Sequence, residues 1–316
     1  MNTIPTTFND DIPGAYTAVG GVESVSSTGL SAVLLNRSMG QPRRNLFQEL
    51  EKAGFDYVLS MEVNSGRYDV EDLSARFPFV RFIIFREKVS LGKQLNLAAL
   101  ELRGSHFFVF WNDQRLLSGG GAGGITDKLS EREDICTVPV LLNSAFETLP
   151  TLISPENSGR KFQIIRSTPL EGGSASLFPF DWVGIYNRDH FIKLGGFDGG
   201  IHNPYWQLMD FGFRSWLWGE KIRMTQGIKL SYEGTIPVDD VTRDEYYRRF
   251  YLKNLAPVFR FDNAHLPIRR FPSCLMLNPG HPLQAWHDFT EGRRWVSVNH
   301  YRFSTDAQTL TGEWSP

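Results

Sequence analysis

The stretch Gly195-Gly196-Phe197-Asp198, followed by Tyr205-Trp206-Gln207-Leu208-Met209-Asp210-Phe211-Gly212-Phe213-Arg214, decides how this chain is read. Two adjacent glycines permit a tight turn with positive φ and a close approach of backbones. The periodicity predicts a helix over residues 210–218 that Asp210 opens, and the macrodipole favours an acid there. Arg214, one turn later, is spaced to pair with it. A carboxylate beside Tyr205 and Trp206 is partly desolvated, which raises its pKa towards that of a working general base. Asp210 is therefore the candidate catalytic residue, and a plain helix-start aspartate is the alternative. Trp182, Tyr205 and Trp206 are candidate platforms for sugar rings, with core packing as the equal alternative.

Upstream, apolar runs at residues 31–35, 56–62, 79–85 and 107–111 read as buried strands. Helical periodicity at 41–53, 70–77 and 91–102 separates them. Such alternation predicts βαβ units and a mostly parallel sheet covered by helices on both faces. Downstream, 118–124 is glycine-rich and reads as a mobile loop. Strands are expected at 135–142, 161–166, 181–186 and 228–232, with helices at 188–194 and 242–255. The division expected is a flexible segment 1–27, an α/β domain 28–255 and an irregular extension 256–316 packed on that domain.

The 316 residues suffice for a full core, and 41% apolar with 22% charged residues is ordinary for a folded protein. A formal charge of -2 gives no general attraction for nucleic acid or anionic lipid. Peripheral contact with a membrane-borne acceptor is the only membrane role left open. The polar amino terminus does not read as a signal peptide, and no segment approaches the ~20 apolar residues of a membrane span. Cys136 and Cys274 offer neither a disulfide framework nor metal-ligand spacing, so two reduced thiols in a cytoplasmic protein are expected.

Polar residues gather where the first strands end: Asn36-Arg37, then Met61-Glu62-Val63-Asn64-Ser65, then a helix opening Gly92-Lys93-Gln94-Leu95-Asn96. Open α/β sheets bind ligands outside the carboxyl ends of their strands. Glu62 there can accept hydrogen bonds from a ribose or base edge, and the amides opening the Gly92 helix can face an anion. The fourth strand runs Phe110-Trp111 into Asn112-Asp113-Gln114, and the last strand ends Ser231-Tyr232-Glu233-Gly234.

These segments, with Val183 to Phe191, Leu194 to Asp198 and Arg249 to Asn254, resemble family 2 type nucleotide-sugar glycosyltransferases of the GT-A fold over roughly residues 30–255. The resemblance implies a Rossmann-like α/β fold and transfer of a sugar, from a UDP-sugar by expectation, to a saccharide or lipid-linked acceptor with inversion. It places Asn36, Arg37, Glu62, Gly92, Lys93, Asn96, Asn112, Asp113 and Gln114 around the donor. That family holds a divalent metal, Mn or Mg, with an Asp-x-Asp pair that neutralises the leaving diphosphate. Here Asn112 and Gln114 stand on the two Asp positions and Met209 stands where a Glu is usual. Two readings follow: a metal site rebuilt from Asp113 and Glu233, or a site without its metal. Asp113 merely closing a turn is the third. The same departures support an alternative function, a non-catalytic nucleotide-sugar- or carbohydrate-binding relative that kept the fold. A nucleotidyltransferase fits less well, for want of a glycine-rich amino-terminal phosphate loop.

Overall fold

The computed structural model describes residues 16–21, 29–37, 43–63, 69–118, 120–129, 133–158, 161–277 and 280–315. Most of the expected amino-terminal segment, and Asn64 and Ser65, lie outside them. The first half alternates as the periodicity predicts: β1 (Tyr16–Gly20), β2 (Leu30–Leu35), α1 (Arg43–Lys52), β3 (Val58–Val63), α2 (Val70–Arg76), β4 (Val80–Phe85), α3 (Leu91–Glu101) and β5 (His106–Trp111). Then follow β6 (Gln114–Ser118), α4 (Gly121–Leu129), β7 (Cys136–Leu142), a β8 (Leu152–Ser158) and β9 (Lys161–Ser167) hairpin, β10 (Gly184–Asn187), α5 (Arg188–Leu194), α6 (Pro204–Leu217) and β11 (Ile222–Tyr232). The chain closes with α7 (Glu245–Phe250), a π-helical turn Tyr251–Leu255, a β12 (Val258–Arg260) and β13 (Asn263–His265) hairpin, α8 (Phe271–Met276), α9 (Pro282–Asn299) and α10 (Ala307–Gly312).

Nine strands form one sheet in the order β1-β4-β3-β2-β5-β10-β7-β11-β6. β4, β3, β2 and β5 are mutually parallel, as are β7 and β11, while β1, β10 and β6 pair antiparallel to their neighbours. Six strands thus share one direction, and the expected mostly parallel α/β sheet is found. Every residue of β2 and of β7 is buried, as apolar strands covered on both faces require. Because β10 runs backwards, with Gly184 opposite Val109 and Asn187 opposite His106, its start lies on the same edge as the ends of β2, β3, β5 and β11.

Several expectations are corrected. The glycine-rich 118–124 loop feeds α4, because Ala122, Ile125 and Leu129 supply a buried helical stripe. Residues 16–20, assigned to a flexible segment, pair with β4 as an edge strand. The helix expected at 210–218 begins six residues earlier: Asn203 caps it by accepting from the Tyr205 and Trp206 amides, and Pro204 follows the cap. Asp210 therefore lies inside the helix rather than at its start. The strand expected from residue 181 begins at Gly184, preceded by a tight turn Phe180–Trp182 in which Asp181 (φ 51°) and Trp182 (φ 67°) are left-handed. The tail is largely helical, and 18-residue α9 docks through Trp295 stacked on Trp218. Among the described residues no helix is long and apolar enough to cross a membrane.

Candidate functional site

The carboxyl edge of the sheet gathers the charged residues named from the sequence. Arg37, just past β2, donates from Nε and Nη2 to both oxygens of Asp113, at 2.9 and 3.2 Å. Its Nη1 and Nη2 also reach Asp181, at 3.1 and 2.8 Å. The guanidinium lies over the Trp111 ring, 4.2 Å from its centroid. Tyr232, ending β11, donates to Asp181 Oδ2 at 2.8 Å, and Trp111 Nε1 donates to the Asp181 carbonyl at 2.9 Å. Burial would lower the Arg37 pKa, but its bonds to Asp113 and Asp181 raise it, so it stays charged. Burial pushes Asp181 up to about 6 against the lowering pull of Arg37.

Next to this cluster, Asn36 donates to Ser60 Oγ, the Met61 carbonyl and Glu62 Oε1. Glu62 is buried and receives Arg43 at 2.6 Å and Ser60 at 2.8 Å. Gln114 accepts from the Trp111 amide, and Asn112 accepts from the Arg37 amide. Two atoms on this edge, Asn36 Oδ1 and Gln114 Nε2, are buried with no hydrogen-bond partner among the described residues. A buried polar atom without a partner is costly unless a ligand serves it.

The helix opening Gly92-Lys93 connects to the segment Gly195–Arg214. The Gly92 amide donates to Gln207 Oε1 at 3.1 Å, and a Cβ at Gly92 would sit 2.5 Å from the Gln207 amide. Ser90 caps α3 by accepting from the Lys93 amide. Asn96 forms a two-bond clamp with the backbone of Phe197, donating to its carbonyl and accepting from its amide at 2.8 Å each. The glycine and asparagine of the Gly-x-x-x-Asn pattern thus dock α3 onto the Gly195-Gly196 turn, where both glycines are left-handed. Asn96→Ala should cost about 2–4 kcal/mol, because it strands a buried amide and carbonyl. A urea midpoint unchanged from wild type would contradict this clamp.

Asp198 and Asp210 are both 0% exposed. Arg249 donates to both Asp198 oxygens, at 2.8 and 3.1 Å, and Lys253 Nζ adds a contact at 2.6 Å. Lys253 Nζ also lies 2.8 Å from Asp210 Oδ1, which Asn254 Nδ2 reaches at 2.8 Å as well. Arg214 takes Asp210 Oδ2 through Nε and Nη2 and ties α6 to the turn by donating to the Leu194 and Gly196 carbonyls. Burial would raise the Asp210 pKa, but Lys253 and Arg214 bring it below the ordinary carboxylate value. The expectation of a partly desolvated, raised carboxylate is corrected here: three donor side chains enclose Asp210. Trp182, Tyr205 and Trp206 are likewise buried, Trp182 against Phe197 at 4.5 Å and Trp206 donating to the Thr242 carbonyl at 2.6 Å. Core packing is the alternative these three follow.

The oxygens suggested for a metal do not fit one. Both Asp113 oxygens face Arg37, Asn112 and Gln114 each accept a backbone amide, and Glu233 pairs with Arg115. A divalent ion at Asp113 would meet the guanidinium at close range, and that repulsion is strong in a part-buried site. Among the described residues no group of three or more His, Cys, Asp or Glu is placed to hold a metal ion.

Asp181 is the residue that the sequence reading passed over. It was the first residue of an expected strand, and nothing local distinguishes it. Its left-handed backbone, together with Phe180 and Trp182 pinned in the core, aims it at Arg37 across 144 residues of sequence.

No protein-family model matches the chain, and no curated protein matches it in sequence. Solved structures do. One is GalNAc-T7 with UDP, GalNAc and Mn2+, at 12% identity and a TM-score of 0.53, covering 88% of this chain and 58% of that one. The chain thus spans little more than half the length of that relative. Another is the mannosyltransferase PcManGT from Pyrobaculum calidifontis with GDP-Man and Mn2+, at 7% identity and a TM-score of 0.43, covering 92% and 80%. The fold of this chain is GT-A-like.

Proposed function

We propose that this GT-A-like chain is a glycosyltransferase moving a sugar from a nucleotide-sugar donor, with UDP-sugars first, to a saccharide or lipid-linked acceptor. The observation that carries the reading is the ligand-binding edge of the sheet. It holds the Arg37–Asp113–Asp181 cluster and two buried polar atoms, Asn36 Oδ1 and Gln114 Nε2, that have no partner among the described residues. Asn36 and Glu62 face the nucleoside, and Arg37, Lys93, Asn112, Asp113 and Gln114 the diphosphate end, with Gly92 and Asn96 holding the Gly195–Arg214 segment in place.

Inverting transfer forms one bond from the acceptor oxygen to the anomeric carbon as the bond to the diphosphate breaks, and one base takes the acceptor proton. Asp181 suits that role better than Asp210. Among the described residues its Oδ1 accepts one hydrogen bond, and its pKa of about 6 leaves it ionised yet basic at neutral pH. Asp210 would have to shed partners before any hydroxyl reached it. Since the oxygens near Asp113 are already engaged by protein donors, transfer is proposed to proceed without a divalent metal.

Incubating purified protein with UDP-, GDP- and dTDP-sugars tests the function: donor hydrolysis above the uncatalysed rate is expected for at least one. The enclosure of Asp210 favours one further reading, a nucleotide-sugar-binding protein without turnover, and binding without hydrolysis would select it. Neither hydrolysis nor binding of any donor would remove both.

A further inference from the structure

One concavity lies away from the strand ends. A cleft of about 510 Å³ lies between the Asp198 turn, α7 with its π-helical turn, and α9, in the size range of small-molecule sites. Gly292 lets α9 approach closely, since a Cβ there would sit 3.0 Å from Leu252 Cβ. The π-helical turn presents Leu252 and Lys253 to the cleft, and such turns recur at functional sites. On the opposite side Gln284, Asp288 and Glu291 project from α9.

The charge pattern selects the ligand class. Three cations line the cleft, Arg248, Arg249 and Lys253, against three carboxylates, Glu245, Asp288 and Glu291. Every cation is already paired: Arg248 with Asp288, Arg249 with Asp198, and Lys253 with both Asp198 and Asp210. A phosphate or carboxylate ligand would meet no surplus positive charge and would approach Glu245 and Glu291. Hydroxyl groups both donate and accept, so a neutral polyol can use the carboxylates, the Gln284 amide and the guanidinium edges together. The half-buried Tyr246 ring at the mouth adds an apolar surface against which a pyranose can lie.

The floor is tied by packing and hydrogen bonds to the strand-end site. Lys253 Nζ sits 4.7 Å from the Trp295 ring centroid, and Trp295 in turn stacks on Trp218. From the Asp198 backbone a hydrogen-bond path runs through Gln207 to the Gly92 amide, and the preceding Phe197 packs on Trp182, next to Asp181. A wall that needs no reorganisation favours binding.

We infer that this cleft is a binding site for a neutral saccharide, apart from the strand-end site. Saccharide binding here does not depend on the transfer proposed above. The test uses the full chain, saturation-transfer NMR and four neutral disaccharides, lactose, maltose, cellobiose and chitobiose, with UDP as a separate probe. At least one disaccharide is expected to bind, with a tenfold or greater loss of affinity in Gln284→Ala/Glu291→Ala. Both side chains lie on the exposed face of α9, so the variant should keep the wild-type melting temperature and UDP affinity. Inorganic pyrophosphate should not displace the sugar. Failure of all four disaccharides to bind, binding undiminished in the variant, or displacement by pyrophosphate would each overturn the inference. If disaccharides bind and UDP does not, the cleft assignment stands and UDP-sugars are removed as donors.

Discussion

Lys253→Met will destabilise the protein by about 3–5 kcal/mol, the range for removing one partner from a buried ion network. The Lys253 side chain is 3% exposed, and its ammonium lies 2.6 Å from Asp198 and 2.8 Å from Asp210, which lie on the turn and on α6. Methionine fills the same volume and leaves both carboxylates short of a partner. The pH dependence follows from the pKa directions. Both carboxylates titrate below their unfolded value of ~3.9, so their contribution is present above that value and is lost as pH falls through the folded pKa. Without Lys253 the burial penalty gains weight and the folded pKa values rise. The deficit of the variant should therefore be largest near pH 7 and shrink towards pH 4. Chemical denaturation across that range measures it. A deficit under ~1 kcal/mol, or one that grows on acidification, would contradict a shared buried cation.

Asp181→Asn should lower turnover by about 10²–10⁴-fold, the usual contribution of a positioned general base, while donor binding persists. Asparagine keeps the shape and one acceptor for Arg37 but cannot take a proton. With wild-type protein, activity should rise with pH up to about 6 and then level off, as the Asp181 carboxylate ionises. The variant should lose that limb. Turnover within threefold of wild type, with the acid limb intact, would remove Asp181 from the chemistry. Comparison with Asp210→Asn separates local from global effects: that change strikes an enclosed helix-interior carboxylate and should appear first as lost stability.

The central sheet was legible because its strands are buried on both faces and read as unbroken apolar runs, as in Leu30 to Leu35 and Phe107 to Trp111. Short edge elements were not. The Tyr16–Gly20 strand is half polar and has meaning only against β4, and β6 follows β5 after a two-residue turn that periodicity cannot resolve. The helix α9 was hidden by its weak amphipathicity, since its tryptophans and charges alternate between core, cleft and solvent.

The site was legible as a set of residues and illegible as roles. Asn36, Arg37, Asp113 and Glu62 do gather at one edge of the sheet, as strand-end polar residues should. What sequence could not reveal was pairing across long separations. Asp210 reads as a raised carboxylate until Lys253 and Asn254, more than forty residues later, fold onto it. Glu233 reads as a metal ligand until Arg115, from the neighbouring strand, is found paired with it. Conversely, Asp181 carries no local signal and acquires its raised pKa from burial in the fold, which outweighs the lowering pull of Arg37 and Tyr232.

Calorimetric titration with UDP and GDP, in EDTA and again in Mn2+, is the most direct test of the proposed donor site. The account predicts binding of at least one nucleoside diphosphate with an affinity unchanged by the metal, and its loss in Arg37→Ala. Binding that appears only with Mn2+, or no binding of either nucleotide under both conditions, would contradict it.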